Sequence, residues 1–584
     1  MTSIRFDIGH TTGTSLKFKD LEEQFSPTTE DLEHQYNPFT LTSIQSHQPI
    51  HNLFFTGKTD IQFNARYQMV NMGIVADSQT LKQENRPVFI KYSPLLDPIR
   101  YMIGKYDILD DAIRTLPNNG QGFSKLANTN NASYTDGFFS FLASKMLHTH
   151  GFKHSIDYYG AYLAMQSKFK MNIEDDYDYL SDSDFFTDNI NKLFKITKPS
   201  DILSSSDNSR SNKGKLNISD EILLDDIIVV DDGICSDEKA TEALEEVFKK
   251  DDEDDEDEDE EDEDDEDEDD EDEEDEDDDE DEDEDDEDDE DEESPSVKNK
   301  DESVHVDDDE EGGMRGDPPA AAEENVFAYI DNFPVHMICL EKCDGTIDQL
   351  FDDNEIDEQN GASALFQIIM SLLAFDKAFN FTHNDLHTNN IMYINTDIDY
   401  LYYTYASKHY KVPTYGKIFK LIDFGRSIYK FKGKLFCSDS FDTGGDAATQ
   451  YNFPPFFNKK LPTIEPNESF DLCRLGCSIY DFVMDDNHRE MNELQKTIDR
   501  WCKDDKGTSV LYKKNGEERY PDFKLYKMIA RKVHKHTAKA QLAFPYFKQF
   551  LEQSLPDSAE VMDIDMIPDY TRGNQGFPLN PILT

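Results

Sequence analysis

Phe381 to Ile394 reads FTHNDLHTNNIMYI, and after an intervening stretch the chain continues at Leu421 to Gly425 with LIDFG. Asp385 stands five residues before Asn390, and Asp423 follows on the second segment. These are the residue types that phosphoryl transfer requires. A carboxylate receives a hydroxyl proton, an amide oxygen holds magnesium, and a second carboxylate bridges magnesium to nucleotide phosphates. Each piece alone is common in unrelated chains, so the information lies in their order.

In that order the two segments resemble the catalytic loop, HRDLKxxN, and the DFG segment of the protein kinase superfamily, with Asn384 in place of the Arg and His387 in place of the Lys. The H-x-D-L-H-x-x-N form is also similar to that of kinases acting on small molecules, such as aminoglycoside and choline kinases. Further on, Ser469 to Cys477 (SFDLCRLGC) resembles the D-x-W-x-x-G helix start of protein kinases, with Cys473 replacing the Trp. Its distance after DFG favours the protein-kinase branch. The resemblance implies Asp385 as catalytic base, Asn390 and Asp423 as magnesium ligands, and Asp471 as support for the loop backbone. It places His387 where protein kinases carry a Lys that neutralises the γ-phosphate.

Upstream, the stretches PIHNLFF, DIQFNARYQMVNMGIV and RPVFIKYSPL from Pro49 onward each read as strand. On the last of them Val88 and Ile90 face one way while Phe89 and Lys91 face the other, which lets the ammonium reach a cleft. Val88 to Lys91 resembles the VAIK strand whose Lys contacts the α- and β-phosphates. Two departures accompany it. No G-x-G-x-x-G precedes Lys91, where Gly57 and Gly73 stand alone, and the helix expected over Asp136 to His148 contains no Glu to pair with the lysine. Lys91 is thus expected to find another carboxylate or to be held by nucleotide alone. After an aromatic-rich strand at His154 to Gln166, Met337 to Gly345 (MICLEKCDG) resembles the last small-lobe strand and hinge. By that resemblance the Glu341 carbonyl and Cys343 backbone face adenine, and Leu340 lines the back of the pocket.

With 584 residues the chain has room for two to four ordinary domains, or for one large domain with extensions. Of its 69 net negative charges, 43 come from the unbroken Asp/Glu run Asp251 to Glu293. Such a run cannot be gathered into a core and is expected to stay extended and solvated. The rest, with 40 Phe and 27 Tyr, is acidic but otherwise ordinary globular text. An acidic surface excludes nucleic acid as an expected partner and favours basic proteins. The seven cysteines show no zinc-type paired spacing and their odd number argues against a disulfide framework, and the absence of a signal-like start or a long apolar span points to a soluble intracellular protein with no membrane partner.

The expected fold class is α+β: a bilobal protein-kinase-like fold with a small β-rich lobe, a large helical lobe and a long acidic disordered insertion. The expected boundaries are an N-terminal extension at 1–48, the first part of the small lobe at 49–171, the acidic low-complexity insertion at 172–324, the last small-lobe strand and hinge at 325–343, the large lobe at 344–554 and a tail at 555–584. The expected helices of the large lobe include Gly361 to Phe379, Arg489 to Cys502 and Phe523 to His536. The implied function is transfer of the γ-phosphate of ATP, with Mg2+, to Ser or Thr of protein substrates. A small-molecule kinase and a nucleotide-binding pseudokinase scaffold are the alternatives. Split lobes, H-x-D-L-H and LIDFGRS together look like the divergent protein kinases of large DNA viruses. Ser438, Ser440, Thr443, Thr449 and Tyr451 are candidates for activating phosphorylation.

Overall fold

The computed structural model describes residues 6–12, 16–58, 60–108, 110–118, 122–174, 176–197, 326–484, 490–521 and 523–572. They form a mixed α and β fold with several small sheets. The expectation for the acidic run lies outside these residues, as do those for Cys235 and for the tail beyond 572.

The principal sheet contains β1 (Leu41–Gln45), β2 (Val88–Pro94), β3 (Tyr158–Asn172), β4 (Phe194–Ile196) and β5 (Phe327–Glu341). Their order is β1-β3-β5-β2, with β4 also pairing β5. Strand β5 is central because its sequence is apolar almost without interruption and can be buried on both faces. It runs antiparallel to β3 from Phe327↔Asn172 to Leu340↔Tyr158, and antiparallel to β2 from Val335↔Pro94 to Glu341↔Val88.

Alternation sorts the side chains of β2 as expected. Val88 and Ile90 are buried, and Phe89 is half-exposed on the side of Lys91. The Val88 face packs with Tyr159, Tyr162, Met337 and Cys339 beneath Leu21 and Phe39. The opposite face sends Leu163, Ile338 and Leu340 into the main core, where they join Phe138, Phe139, Phe141 and Leu142 of helix α1 (Ala132–His150). Helix α1 starts at Asn131, whose side chain accepts from the Ser133 amide, and stops at Gly151 in the left-handed region.

Beyond the sheet, α2 (Glu358–Phe379) is capped by the Asp357 carboxylate and ends at left-handed Asn380. It is long and apolar enough to cross a membrane, and most of it is buried in the core. Strands β6 (Ile391–Asn395) and β7 (Lys417–Leu421) pair antiparallel, and helices α3 (Phe470–Val483) and α4 (Lys524–Lys532) follow.

Four expectations are corrected. Residues 16–48 are part of the fold, since β1 pairs with β3 and the apolar face over Val88 needs the cover that Leu21 and Phe39 supply. Pro49–Leu53 is a 3-10 turn rather than a strand, with proline at its first position, where a fixed φ and a missing N–H suit a helix start. The boundary at 172 moves to 197: Tyr177–Ser181 and Asp184–Asn189 are helical, and Phe186 stacks on Phe194 of β4 at 5.2 Å. Thr197 and Phe327 then bond to each other through Thr197 N–H to the Phe327 carbonyl (2.9 Å) and Phe327 N–H to Thr197 Oγ1 (2.7 Å). Finally, the tail is folded as far as 572. Val561–Asp563 extends in parallel the Tyr-rich hairpin of Tyr400–Tyr405 and Lys408–Pro413, and Tyr570 stacks on Phe6 at 3.9 Å.

Gly137 sets how closely α1 approaches β5. A Cβ added there would lie 2.5 Å from Cε1 of His336, which is fully buried and hydrogen-bonded through Nδ1 to the Ser133 carbonyl (2.9 Å). A glycine-to-alanine change inside a helix ordinarily adds about 1 kcal/mol of stability. Here the sign is expected to reverse. Gly137→Ala should destabilise the protein by about 1–3 kcal/mol in denaturant unfolding, the usual cost of overpacking; a stabilised variant would refute the close approach.

Candidate active site

The segment 381–394 runs from the end of α2 into β6. Its backbone is fixed by Asp471 on the first turn of α3, whose two carboxylate oxygens accept the amides of His383 (2.8 Å) and Asn384 (2.9 Å). Asn384 lies in the left-handed region, a conformation that Asn tolerates better than most residues. Its amide nitrogen donates to the Arg426 carbonyl (3.1 Å), and its oxygen accepts from the Tyr451 hydroxyl (2.7 Å). His383 Nε2 meets the Ile422 carbonyl at 2.9 Å. The loop is therefore tied to the residues around Asp423 on one side and to α3 on the other. Ser469, which precedes α3, makes no side-chain cap bond, and Asp471 is spent on the loop.

Asp385 follows directly. Its Oδ1 accepts from the Tyr526 hydroxyl of α4 at 2.8 Å and lies 3.6 Å from Arg426 Nη1, while Arg426 Nη2 pairs with Asp446 at 3.0 Å. Burial pushes the Asp385 carboxyl up, but Arg426, His387, Arg474 and the Tyr526 hydroxyl together outweigh it and hold it down to about 2. The group is ionised at neutral pH.

Asn390 closes the loop. Its amide nitrogen donates to the Asp385 carbonyl (2.9 Å) and to His387 Nε2 (2.9 Å), so the amide oxygen is the atom left to face a cation. Since β6 pairs with β7, and Ile422 N–H donates to the Asn390 carbonyl (3.0 Å), Asn390 and Asp423 leave adjacent strand ends. Two hard oxygen donors in this position fit magnesium.

Lys91 is the second fixed point. Its ammonium pairs with Asp136 of α1 at 2.8 Å and with Asp423 Oδ1 at 2.7 Å. Burial would lower the lysine, and the two carboxylates reverse this and raise it, so it is charged. The Asp423 carboxylate, 43 % exposed, is lowered because the Lys91 attraction exceeds what burial adds. Asp136 answers the question of the missing Glu. Its other oxygen accepts the Phe424 amide at 2.9 Å, so one carboxylate holds the lysine and the segment after β7 together. The signal was present in the sequence as the lone carboxylate of the expected helix. Aspartate is one methylene shorter than glutamate, and the close approach allowed at Gly137 compensates for that.

Leu340 and Glu341 end β5, and Cys343 lies two residues beyond it. Leu340 is opposite Phe89, two residues from Lys91 on the same face. The Glu341 carboxylate pairs with buried Lys420 of β7, the Glu341 amide donates to the Asp157 carbonyl (2.9 Å), and burial pushes the Cys343 thiol up to about 12. Among the described residues no hydrogen bond links these three to Asp385 or Asp423. The structure brings Lys91, Asp385, Asn390 and Asp423 together; of the other three, Leu340 shares the Lys91 face of the sheet, Glu341 alternates to the opposite one, and Cys343 follows the strand.

The segment after Asp423 is packed down. Asp439, 4 % exposed, accepts the Ala132 amide at the start of α1 (3.1 Å) and pairs with Lys125 (2.8 Å). Ser438, Ser440, Thr449 and Tyr451 are buried, and only Thr443 of the five candidate phosphorylation positions is exposed.

His387 is not the cation that a lysine in its place would be. Burial, helped by the nearby Arg474 charge, pushes it down to about 4, and its Nε2 serves as an acceptor for Asn390. Titration followed by imidazole nitrogen NMR should find it neutral at pH 7, with a midpoint near 4; a midpoint near the ordinary value of about 6.5 would contradict this. A second expectation concerns Asp471. Replacing it by Ala orphans two buried amides and should cost about 3 kcal/mol or more in unfolding, with faster hydrogen exchange at His383 and Asn384.

No protein-family model matches the sequence, and no curated protein matches it.

Proposed function

We propose that the protein is an ATP-dependent protein kinase of bilobal kinase-like fold, with the β1–β5 sheet and α1 as the small lobe and the region from about residue 344 as the helical large lobe. It transfers the γ-phosphate to Ser or Thr hydroxyls of protein substrates. The observation that carries this reading is the convergence of Lys91, Asp423, Asn390 and Asp385, delivered by β2, the end of β7 and the loop before β6. The pseudokinase alternative rested partly on a lysine without its helix carboxylate, and the Lys91–Asp136 pair at 2.8 Å removes that ground.

In this reading each side chain has a defined task. Lys91 neutralises and orients nucleotide phosphates. Asn390 and Asp423 hold magnesium through oxygen, and the ion, when bound, offsets charge on the phosphate oxygens. Asp385 orients the acceptor hydroxyl and receives its proton. A carboxylate as acidic as Asp385 is a weak base, which suits a reaction whose transition state is loose and whose catalysis is mainly positioning and charge neutralisation. Leu340, Glu341 and Cys343 border the adenine.

Incubation with γ-labelled ATP, magnesium and a basic protein should give labelled Ser or Thr, whereas choline or an aminoglycoside should remain unlabelled. Asp385→Asn and Asp423→Ala should each lower transfer by about a hundredfold or more, as expected when a group acting on transition-state charge is lost. Their unfolding midpoints should stay close to that of the parent protein. An inert parent protein, or an undiminished Asp385→Asn, would reject the reading.

A further inference from the structure

Tyr526 lies in α4, 141 residues downstream of Asp385, and belongs to no motif that marks the loop. Its ring is 1 % exposed and its hydroxyl donates to Asp385 Oδ1 at 2.8 Å. The same hydroxyl accepts from Nε of Arg474 at 2.8 Å. Arg474 sits one turn after Asp471 on α3 and is itself fully buried. Guanidinium carbons lie on the Tyr526 ring from two residues, Arg474 at 5.0 Å and Arg426 at 5.7 Å from its centroid.

The arrangement is costly for a merely structural one. Among the described residues no carboxylate pairs with Arg474, and its Nη1 has no hydrogen-bond partner. A buried guanidinium without a contacting anion is ordinarily avoided. Here the tyrosine hydroxyl relays its field to the Asp385 carboxylate. No partner among the described residues occupies Asp385 Oδ2, so Oδ1 is anchored and Oδ2 is the oxygen left for a reacting hydroxyl.

We infer that Tyr526, held by Arg474, is a positioning residue for Asp385, fixing one carboxylate oxygen so that the other is presented to the acceptor hydroxyl. This rests on the kinase reading above. A hydrogen bond to a charged group matters more than one between neutral groups. Loss of the Tyr526 hydroxyl should therefore lower kcat by about ten- to a hundredfold, while KM for ATP and for the protein substrate stays within about twofold.

The test compares Tyr526→Phe, Arg474→Met and the double variant in steady-state kinetics, with thermal unfolding alongside. Tyr526→Phe keeps the ring. Arg474→Met replaces a buried charge by an apolar chain of similar length, a change that buried sites often accept without loss of fold. Both single variants should lower kcat without raising KM, and the double variant should be little worse than Tyr526→Phe, because the two act through one chain of hydrogen bonds. Unchanged kcat in Tyr526→Phe, or additive losses confined to the unfolding midpoint, would overturn the positioning role. A parent protein that transfers no phosphate would instead remove the kinase reading and this inference with it, so the two failures are told apart by the parent alone.

Discussion

One ammonium group joins the parts of this molecule that have to act together. Lys91 on the sheet touches Asp136 on α1 and Asp423 at the end of β7, and Asp136 also takes the Phe424 amide. Partly shielded from water, such charges interact strongly when paired and are costly when separated. The positions of the sheet, the helix and the loop are thereby made interdependent. The helix can supply an aspartate only by lying unusually close to β5, and Gly137, the next residue, removes the atom that would keep it away.

A second set of constraints comes from the helices. Asp471 holds the backbone of the loop, Tyr451 and Arg426 hold Asn384, and Tyr526 holds Asp385. Asn384 in the loop and Asp423 after β7 both occupy left-handed backbone conformations; these bonds hold Asn384, and the pair with Lys91 holds the Asp423 carboxylate. The sheet thus controls the lysine and the helices control the carboxylate opposite it. The two sets meet around Asp423, whose carboxylate pairs with Lys91 while the neighbouring Ile422 amide bonds to the Asn390 carbonyl of the loop.

Much of this was legible in the residues, for reasons that differ. The loop residues stood out through the order of their carboxylates and amide, which resembles that of a kinase catalytic loop. The two faces of β2 followed from strand alternation, and the role of Asp471 from the resemblance of its segment to a protein-kinase helix start. Asp136 was hidden by the search for a glutamate, though it was the first residue of the expected helix. The folded status of residues 16–48 was hidden by their polar composition, since Leu21 and Phe39 suffice to cover one face of a sheet. Tyr526 and Arg474 leave no local pattern, because their relation to Asp385 exists only once α3 and α4 have packed.

The clasp between Thr197 and Phe327 has an evolutionary meaning. Thr197 and Phe327 are thereby held side by side, next to a ladder whose register is set by strands on either side. Codons can be gained or lost there without sliding a strand or displacing Lys91. Loop-closure entropy grows only slowly with length, so relatives of this chain are expected to differ in the length and charge of what joins the two ends while keeping the same arrangement of lysine, carboxylates and loop.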